Sequence, residues 1–258
     1  MMLSVFRHRS LILDMCWTEL KRKYAGTLLG PLWAVAPQVT TVAAYWFVFE
    51  LGLKVRGSGT LPYFYYFTLG MLPWFLFFEA FSSCVNAVRD NRHLITKMVF
   101  PSEILSIVSF LVASVPHLVL VSALAVMLWC NQLLTMETLP WLLYFYLCSA
   151  ALAIGTGWLV SSVSVFSKDV AQIAQLVVSL VFWITPIMWQ EDVLPESWRS
   201  VFEWNPLTYV VNGYRFALAG GTAPVWDASA KFWVVALCIT ALGHRVFLQL
   251  KPHFADIL

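Results

Sequence analysis

Charge is scarce in this chain. Of its 258 residues only 12% are Asp, Glu, Lys or Arg, while 60% are hydrophobic, and the mean hydropathy is +0.75. A soluble domain carries about 25% charged residues, so this composition excludes an ordinary water-soluble globule. Whole stretches lack charge: residues 104–130, 139–166 and 170–189 contain none, residues 31–53 only Glu50, residues 61–88 only Glu79, and residues 232–250 only Arg245. Each run reaches the roughly 17–25 residues that a helix needs to cross about 30 Å of hydrocarbon, and a helix satisfies its own backbone there. The expectation is an all-α integral membrane protein with six transmembrane helices.

Other absences narrow the function. The five cysteines show no metal or redox spacing; Cys84, Cys130, Cys148 and Cys238 fall in or at the ends of apolar runs, where thiols behave as small hydrophobes. No G-x-x-x-x-G-K-[ST] phosphate loop, H-E-x-x-H helix or G-x-S-x-G turn occurs, so no catalytic residue, metal site or cofactor is expected, and the chain is not its own ATPase of that type. A net charge of +2 from scattered cations gives no footprint for nucleic acid. No secretory leader is expected, because only Ser10–Leu13 separates Arg9 from Asp14.

Six spans put both termini on one side. That side would hold Arg7, Arg9, Lys21, Arg22, Lys23, Arg89, Arg92, Lys97, Lys168 and Lys251, and the other only Lys54, Arg56, Arg199, Arg215 and Lys231. The positive-inside rule places both ends in the cytoplasm. The chain then divides, within a single membrane domain over 1–258, into an N-terminal segment (1–30), the spans (31–250), an outer segment before the last span (190–231) and a cytoplasmic tail (251–258). Residues 4–24 read as an amphipathic helix lying on the membrane, with Phe6, Leu13, Trp17, Leu20 and Tyr24 at helical spacing and Glu19 able to pair with Lys23. Gly26, Gly30 and Pro31 turn the chain into the first span. In the outer segment, Leu207–Ala219 is apolar except for Arg215 and too short to span. It reads as a re-entrant or interfacial helix begun by Asn205-Pro206, with a second short helix over Val193–Trp204 before it.

Ionisable groups inside apolar runs are candidates for function. Glu50, Glu79, His117 and Arg245 qualify, although Arg245 also suits snorkelling and His117, beside Pro116, could bond a freed carbonyl. Aromatic rings crowd Tyr63–Phe81, with Trp74 and Phe78 among them, and Tyr45, Trp46 and Phe49 crowd the first run. An interfacial belt accounts for some; rings lining a path for sugars, through apolar area and C–H contacts, account equally for others.

The stretch RDNRHLITKMVFPSE (89–103) interrupts two apolar runs with Arg89, Asp90, Arg92, Lys97 and Glu103. A short helix over Asn91–Met98 is expected, with Leu94, Ile95 and Met98 on one face and Phe100-Pro101 ending it. Ser102 would cap the next span, with Glu103 in its first turn. An ordinary basic loop and a docking element for a cytoplasmic partner both fit.

Taken in order, the basic N-terminus, KRKYAGTLLGPLWAVAPQ (21–38), RDNRHLITKMVFPSE, WITPIMW (183–189) and WNPLTYVVNGYR (204–215) resemble the transmembrane subunit of ABC-2-type exporters of lipid-linked polysaccharides: O-antigen, capsule and teichoic acid permeases. The resemblance covers essentially the whole chain. It implies a homodimer in the bacterial inner membrane, working with two copies of a cytoplasmic ABC ATPase that binds the ATP and Mg. It further implies that 89–103, with Trp17 and Arg22 nearby, receives the ATPase stroke. Tyr45, Trp46, Phe49, Trp74, Phe78 and Trp183 would lie along the substrate path, and Trp204, Asn205, Pro206, Tyr209 and Arg215 at an outer gate of two re-entrant helices. An ABC-2 permease for drugs or small lipids shares this topology. An ion-coupled carrier using Glu79, Glu50 and His117, and a glycan-modifying membrane enzyme, are the readings from other classes.

Overall fold

The computed structural model describes residues 8–28, 30–54, 61–97, 100–190, 195 and 202–258, and every regular element among them is helical. The order is α1 (Arg9–Tyr24), a 3-10 turn (Gly30–Ala34), α2 (Ala36–Trp46) with a π-helical continuation (Phe47–Gly52), α3 (Tyr63–Asp90) and α4 (Arg92–Lys97). A 3-10 turn at Ser102–Ile104 leads into α5 (Leu105–Cys130), followed by α6 (Trp141–Ser164), α7 (Lys168–Ile184) and α8 (Pro206–Ala219). The chain closes with α9 (Trp226–Leu250), a turn at Lys251–His253 and α10 (Phe254–Ile257). The helix expected over Val193–Trp204 and the far end of the one expected over Asn91–Met98 lie outside the described residues.

Among the described residues, four stretches are long and apolar enough to cross a membrane: Tyr63–Lys97, Ser102–Cys130, Trp141–Ser164 and Trp226–Ile257. The first and fifth apolar runs form shorter rods. The π-helical piece adds 6 residues to the 11 of α2, and α7 has 17, so each rod is about 25 Å long at ~1.5 Å per residue, the lower end of what spans.

Helix α3 is apolar nearly all round over Tyr63–Phe78 and takes the centre of the bundle, touching α5, α6 and α8. Pro73 inside α3 and Pro116 inside α5 do not break their helices, as neighbouring helices supply the lost support. The tightest seam joins α6 to α9. A Cβ on Gly243 would stand 2.3 Å from the carbonyl oxygen of Gly155, and Thr240 donates to the Ala151 carbonyl at 3.2 Å. This is small-residue packing suited to lipid, where no hydrophobic effect drives helices together.

Helix α8 begins as expected. Pro206 sits in its first turn and the Asn205 side chain accepts from the Leu207 amide at 3.0 Å. Its end is set by Gly220 at φ +72° and ψ −155°, a positive-φ backbone conformation open to glycine because it has no Cβ. At 14 residues it is too short to cross, yet it is buried on most of its surface between α3 and α6. One expectation fails locally. Ser102 does not cap α5: it lies inside the 3-10 turn, where its hydroxyl has no partner among the described residues. In α1 the side chains buried against the bundle are Ile12 and Cys16, and Leu13 and Trp17 stay exposed on the outer side. Helix α1 docks on α5 through Ile12 and Cys16, with Leu11, Met15 and Leu20 packed at the edge of the same cluster.

Two hydrophobic clusters result. The larger fills the bundle around α3, α6 and α8. The smaller gathers Ile12, Val88, Phe100, Ile104, Trp158, Val165, Phe247 and Phe254 at the end of the bundle that bears α1 and α4.

Candidate functional site

At the end bearing α1 and α4, the sequence-predicted coupling residues come together around the smaller cluster. Leu94 and Ile95 of α4 rest on that cluster, which leaves Arg92, His93, Thr96 and Lys97 exposed. Asp90 is exposed beside them, and Arg89 bonds the Asn86 amide oxygen at 3.1 Å. The result is a six-residue helix whose apolar side is inward and whose basic side is open. Trp17 of α1 is 62% exposed, with Lys21 over its ring at 4.9 Å. Pro101 starts the turn into α5, and Glu103 forms an ion pair with Lys251 at 2.6 Å while its carbonyl accepts from the Trp158 indole at 2.8 Å.

A polar knot ties α1 to the bundle. Glu19 pairs with Arg22 at 2.8 Å, not with Lys23 as its spacing suggested, because Lys23 reaches across to Glu79 of α3 in a close ion pair. The second oxygen of Glu79 accepts from Gln38 at 3.2 Å, so one carboxylate joins α1, α2 and α3. Burial works against the Lys23 ammonium, but the bond to Glu79 outweighs it and raises the pKa above the usual lysine value. Burial raises that of Tyr24, with Lys23 opposing. The knot borders a cavity of about 730 Å³ between α1, α2, α3 and α5, lined also by Trp33, Phe75, Phe78, Ser82, Ser83 and Ser109.

At the opposite end of α3 and α8, four side chains grip the segment Thr185–Trp189, three of them through its backbone carbonyls. Tyr63 donates to the Met188 carbonyl at 3.0 Å, Tyr66 to that of Trp189 at 3.1 Å, and Arg215 to that of Ile187 at 3.0 Å. The Asn205 amide donates to the Thr185 hydroxyl at 3.0 Å. Arg215 is only 9% exposed; it also bonds the Tyr66 carbonyl at 3.2 Å and the Asn212 side chain at 3.1 Å, and lies 3.7 Å over the Tyr66 ring. Gly70 makes room for it, since a Cβ there would meet the guanidinium at 2.8 Å. Tyr209 is buried and shares hydrogen bonds with Tyr144 at 3.1 Å and Ser229 at 2.8 Å, and Trp204 is exposed.

The aromatic crowd divides. Tyr63, Tyr65, Tyr66, Phe67, Phe77 and Phe81 are buried core rings, as is Trp74, 6% exposed and 5.1 Å from Phe182 of α7. Tyr45 packs on Phe67 at 5.6 Å, Phe49 on Tyr63 at 6.1 Å and Trp46 on Phe64 at 6.3 Å, which fixes α2 to α3. Trp183 alone of the six named rings is largely open, at 62%. Helix α7 presents Ile173, Leu176, Val177 and Leu180 exposed along with it, and the α2 rod exposes Val39, Phe47, Val48 and Leu51.

The isolated ionisable groups are mostly accounted for. His117 does not bond a carbonyl freed by Pro116; its Nε2 shares a hydrogen bond of 3.0 Å with the Tyr214 hydroxyl of α8. Arg245 is exposed. One oxygen of Glu50 is buried without a hydrogen-bond partner among the described residues. No group of three or more His, Cys, Asp or Glu arranged to hold a metal occurs among the described residues. Sequence reasoning missed the partners of Glu79 and Glu103 and the grip on Thr185–Trp189, because each joins residues far apart in the chain.

The sequence pattern of the ABC-2 type transporter family matches residues 11–219. An O-antigen export system permease protein RfbA of Klebsiella pneumoniae is 25% identical over 244 residues, covering 93% of this chain and 92% of that protein. A second Klebsiella pneumoniae protein of that name is 23% identical over the same shares. A Myxococcus xanthus protein of that name is 23% identical over 259 aligned residues, 98% of this chain and 97% of that protein.

Proposed function

The chain belongs to the ABC-2 type transporter family, and from that membership we propose that it is the permease subunit of an exporter that moves a lipid-linked polysaccharide of O-antigen type across the bacterial inner membrane. The observation that carries this reading is end-to-end alignment with proteins named as O-antigen export permeases. Energy comes from a separate cytoplasmic ABC ATPase, present in two copies, which binds ATP and Mg; this chain holds no cofactor of its own. The four long helices, with the α2 and α7 rods, make six crossings in the inner membrane, with both termini cytoplasmic.

In this reading the basic side of α4, bearing Arg92 and Lys97, meets the ATPase, with Arg89, Asp90, Trp17 and Arg22 at its margins. The stroke passes through Pro101 and Glu103 into α5. Two copies pair as a homodimer. The exposed apolar faces of α2 and α7 border the path between them, with Tyr45, Trp46, Phe49 and Trp183 alongside and Trp74 and Phe78 behind. Asn205, Pro206, Tyr209 and Arg215 belong to an outer gate closed by the grip on Thr185–Trp189. Transport by an ion gradient is disfavoured by the pairing of Glu79 with Lys23 and Gln38, which engages both oxygens of that carboxylate.

Deletion of the gene in its host tests the reading. Finished lipid-linked chains should collect on the cytoplasmic side and the corresponding surface glycan should disappear; an unchanged surface glycan would refute it.

A further inference from the structure

We propose that the segment Lys251–Leu258 is a working part of the coupling element, positioning α4 and passing its displacement into α9. The inference rests on the reading that the Arg92–Lys97 helix meets the ATPase.

A helix of six residues is under two turns long, too short to hold its own shape in water. Its stiffness as a lever must come from what its two apolar residues rest on. Leu94 and Ile95 sit on the smaller hydrophobic cluster, and the element packed directly on α4 from outside its own hairpin is α10. The anchor of α10 is Phe254, 0% exposed, with its ring edge-on to Phe247 of α9 at 5.4 Å and 6.4 Å from Phe166 at the end of the α6 region. Leu258 packs against the same cluster.

A second, polar tie runs beside it. Lys251, at the end of α9, pairs with Glu103 at 2.6 Å, and Glu103 belongs to the turn that joins α4 to α5. This turn is itself clamped by the bond from Trp158 of α6 to the Glu103 carbonyl, 2.8 Å. The short helix is thus held on one side by the start of α5 and on the other by the end of α9, through Phe254 and the Lys251 pair. Close packing resists continuous deformation, so a push on the exposed face of α4 moves both supports together. Lys251 and Phe254 are positioning residues for this step, and Glu103 serves it through Lys251 instead of by touching the ATPase.

The test uses the full permease reconstituted with its partner ATPase in vesicles, measuring glycan exported per ATP hydrolysed. Lys251→Glu and Phe254→Ala should each lower that ratio at least about fivefold, the low end of coupling between sites, while the ATPase still co-purifies. The swap Glu103→Lys with Lys251→Glu should restore most of the ratio, and Phe254→Leu should retain it. A residue serving stability alone would lower the amount of folded complex and leave the ratio unchanged. If Lys251→Glu and Phe254→Ala keep the wild-type ratio while Arg92→Glu lowers it, the inference falls and the α4 reading stands. If Arg92→Glu also keeps it, both fall. If the swap fails to restore what Lys251→Glu removed, the ion pair has no part in positioning.

Discussion

Replacing Arg215 by alanine should loosen the grip that closes the Thr185–Trp189 segment over α3 and α8. The guanidinium bonds the carbonyls of Ile187 and Tyr66 at 3.0 and 3.2 Å and stacks at 3.7 Å on the Tyr66 ring. Polar contacts between helices in a membrane contribute about 0.6–1.7 kcal/mol each, and a desolvated cation over an aromatic face about 2 kcal/mol. Two such bonds and the stacking amount to about 3–5 kcal/mol. At roughly 2–4 °C per kcal/mol for a chain of this size, the melting temperature of the detergent-solubilised protein should fall by on the order of 10 °C. Arg215→Lys keeps the charge but not the planar fork, and should recover about half. In a cysteine-free background, a cysteine placed at Met188 should react faster with a water-soluble thiol reagent once Arg215 is alanine. A melting temperature within about 2 °C of wild type, with unchanged labelling, would show that the segment is held by something other than Arg215.

Three further outcomes follow from the packing. Glu79→Gln removes the charge that holds Lys23, so amide exchange over Arg9–Tyr24 should speed up about tenfold, about 1.4 kcal/mol of lost docking; unchanged exchange would mean that Ile12 and Cys16 alone dock α1. Gly213→Ala places a Cβ 2.1 Å from the Phe145 ring and should cost about 1–3 kcal/mol by overpacking, read as a lower melting temperature; a neutral result would show that the α6–α8 contact yields. Trp74→Ala should cost about 3–5 kcal/mol as a buried ring lost, whereas Trp183→Ala should leave stability within about 0.5 kcal/mol and slow export, and the reverse pattern would exchange their assigned places.

The apolar runs, the start of α8 at Asn205-Pro206 and the onset of a short helix after Asp90 were legible in the sequence, because each rests on local chemistry: hydropathy over a window, a capping residue, a break in the apolar run. What was not legible depends on which side of a helix faces which neighbour. In α1, Ile12 and Cys16 offer one apolar stripe and Leu13 and Trp17 another, and nothing local says that α5 takes the first. In the first half of α3 residues are apolar nearly all round, so a ring such as Trp74 reads the same whether it faces a path or the core. Glu79 looked like an isolated intramembrane acid only because its partner Lys23 lies 56 positions away. Glu103 and Lys251, 148 positions apart, hid their pairing in the same way.

The proposed glycan export with energy from a partner ATPase can be followed directly. The most direct measurement is export of radiolabelled lipid-linked polysaccharide in sealed vesicles holding the permease with and without its partner. Export should need both ATP and the partner subunit, and should stop when Arg92 and Lys97 are reversed to glutamate although the two subunits remain assembled. Export in ATP-free vesicles under a proton gradient alone would contradict it.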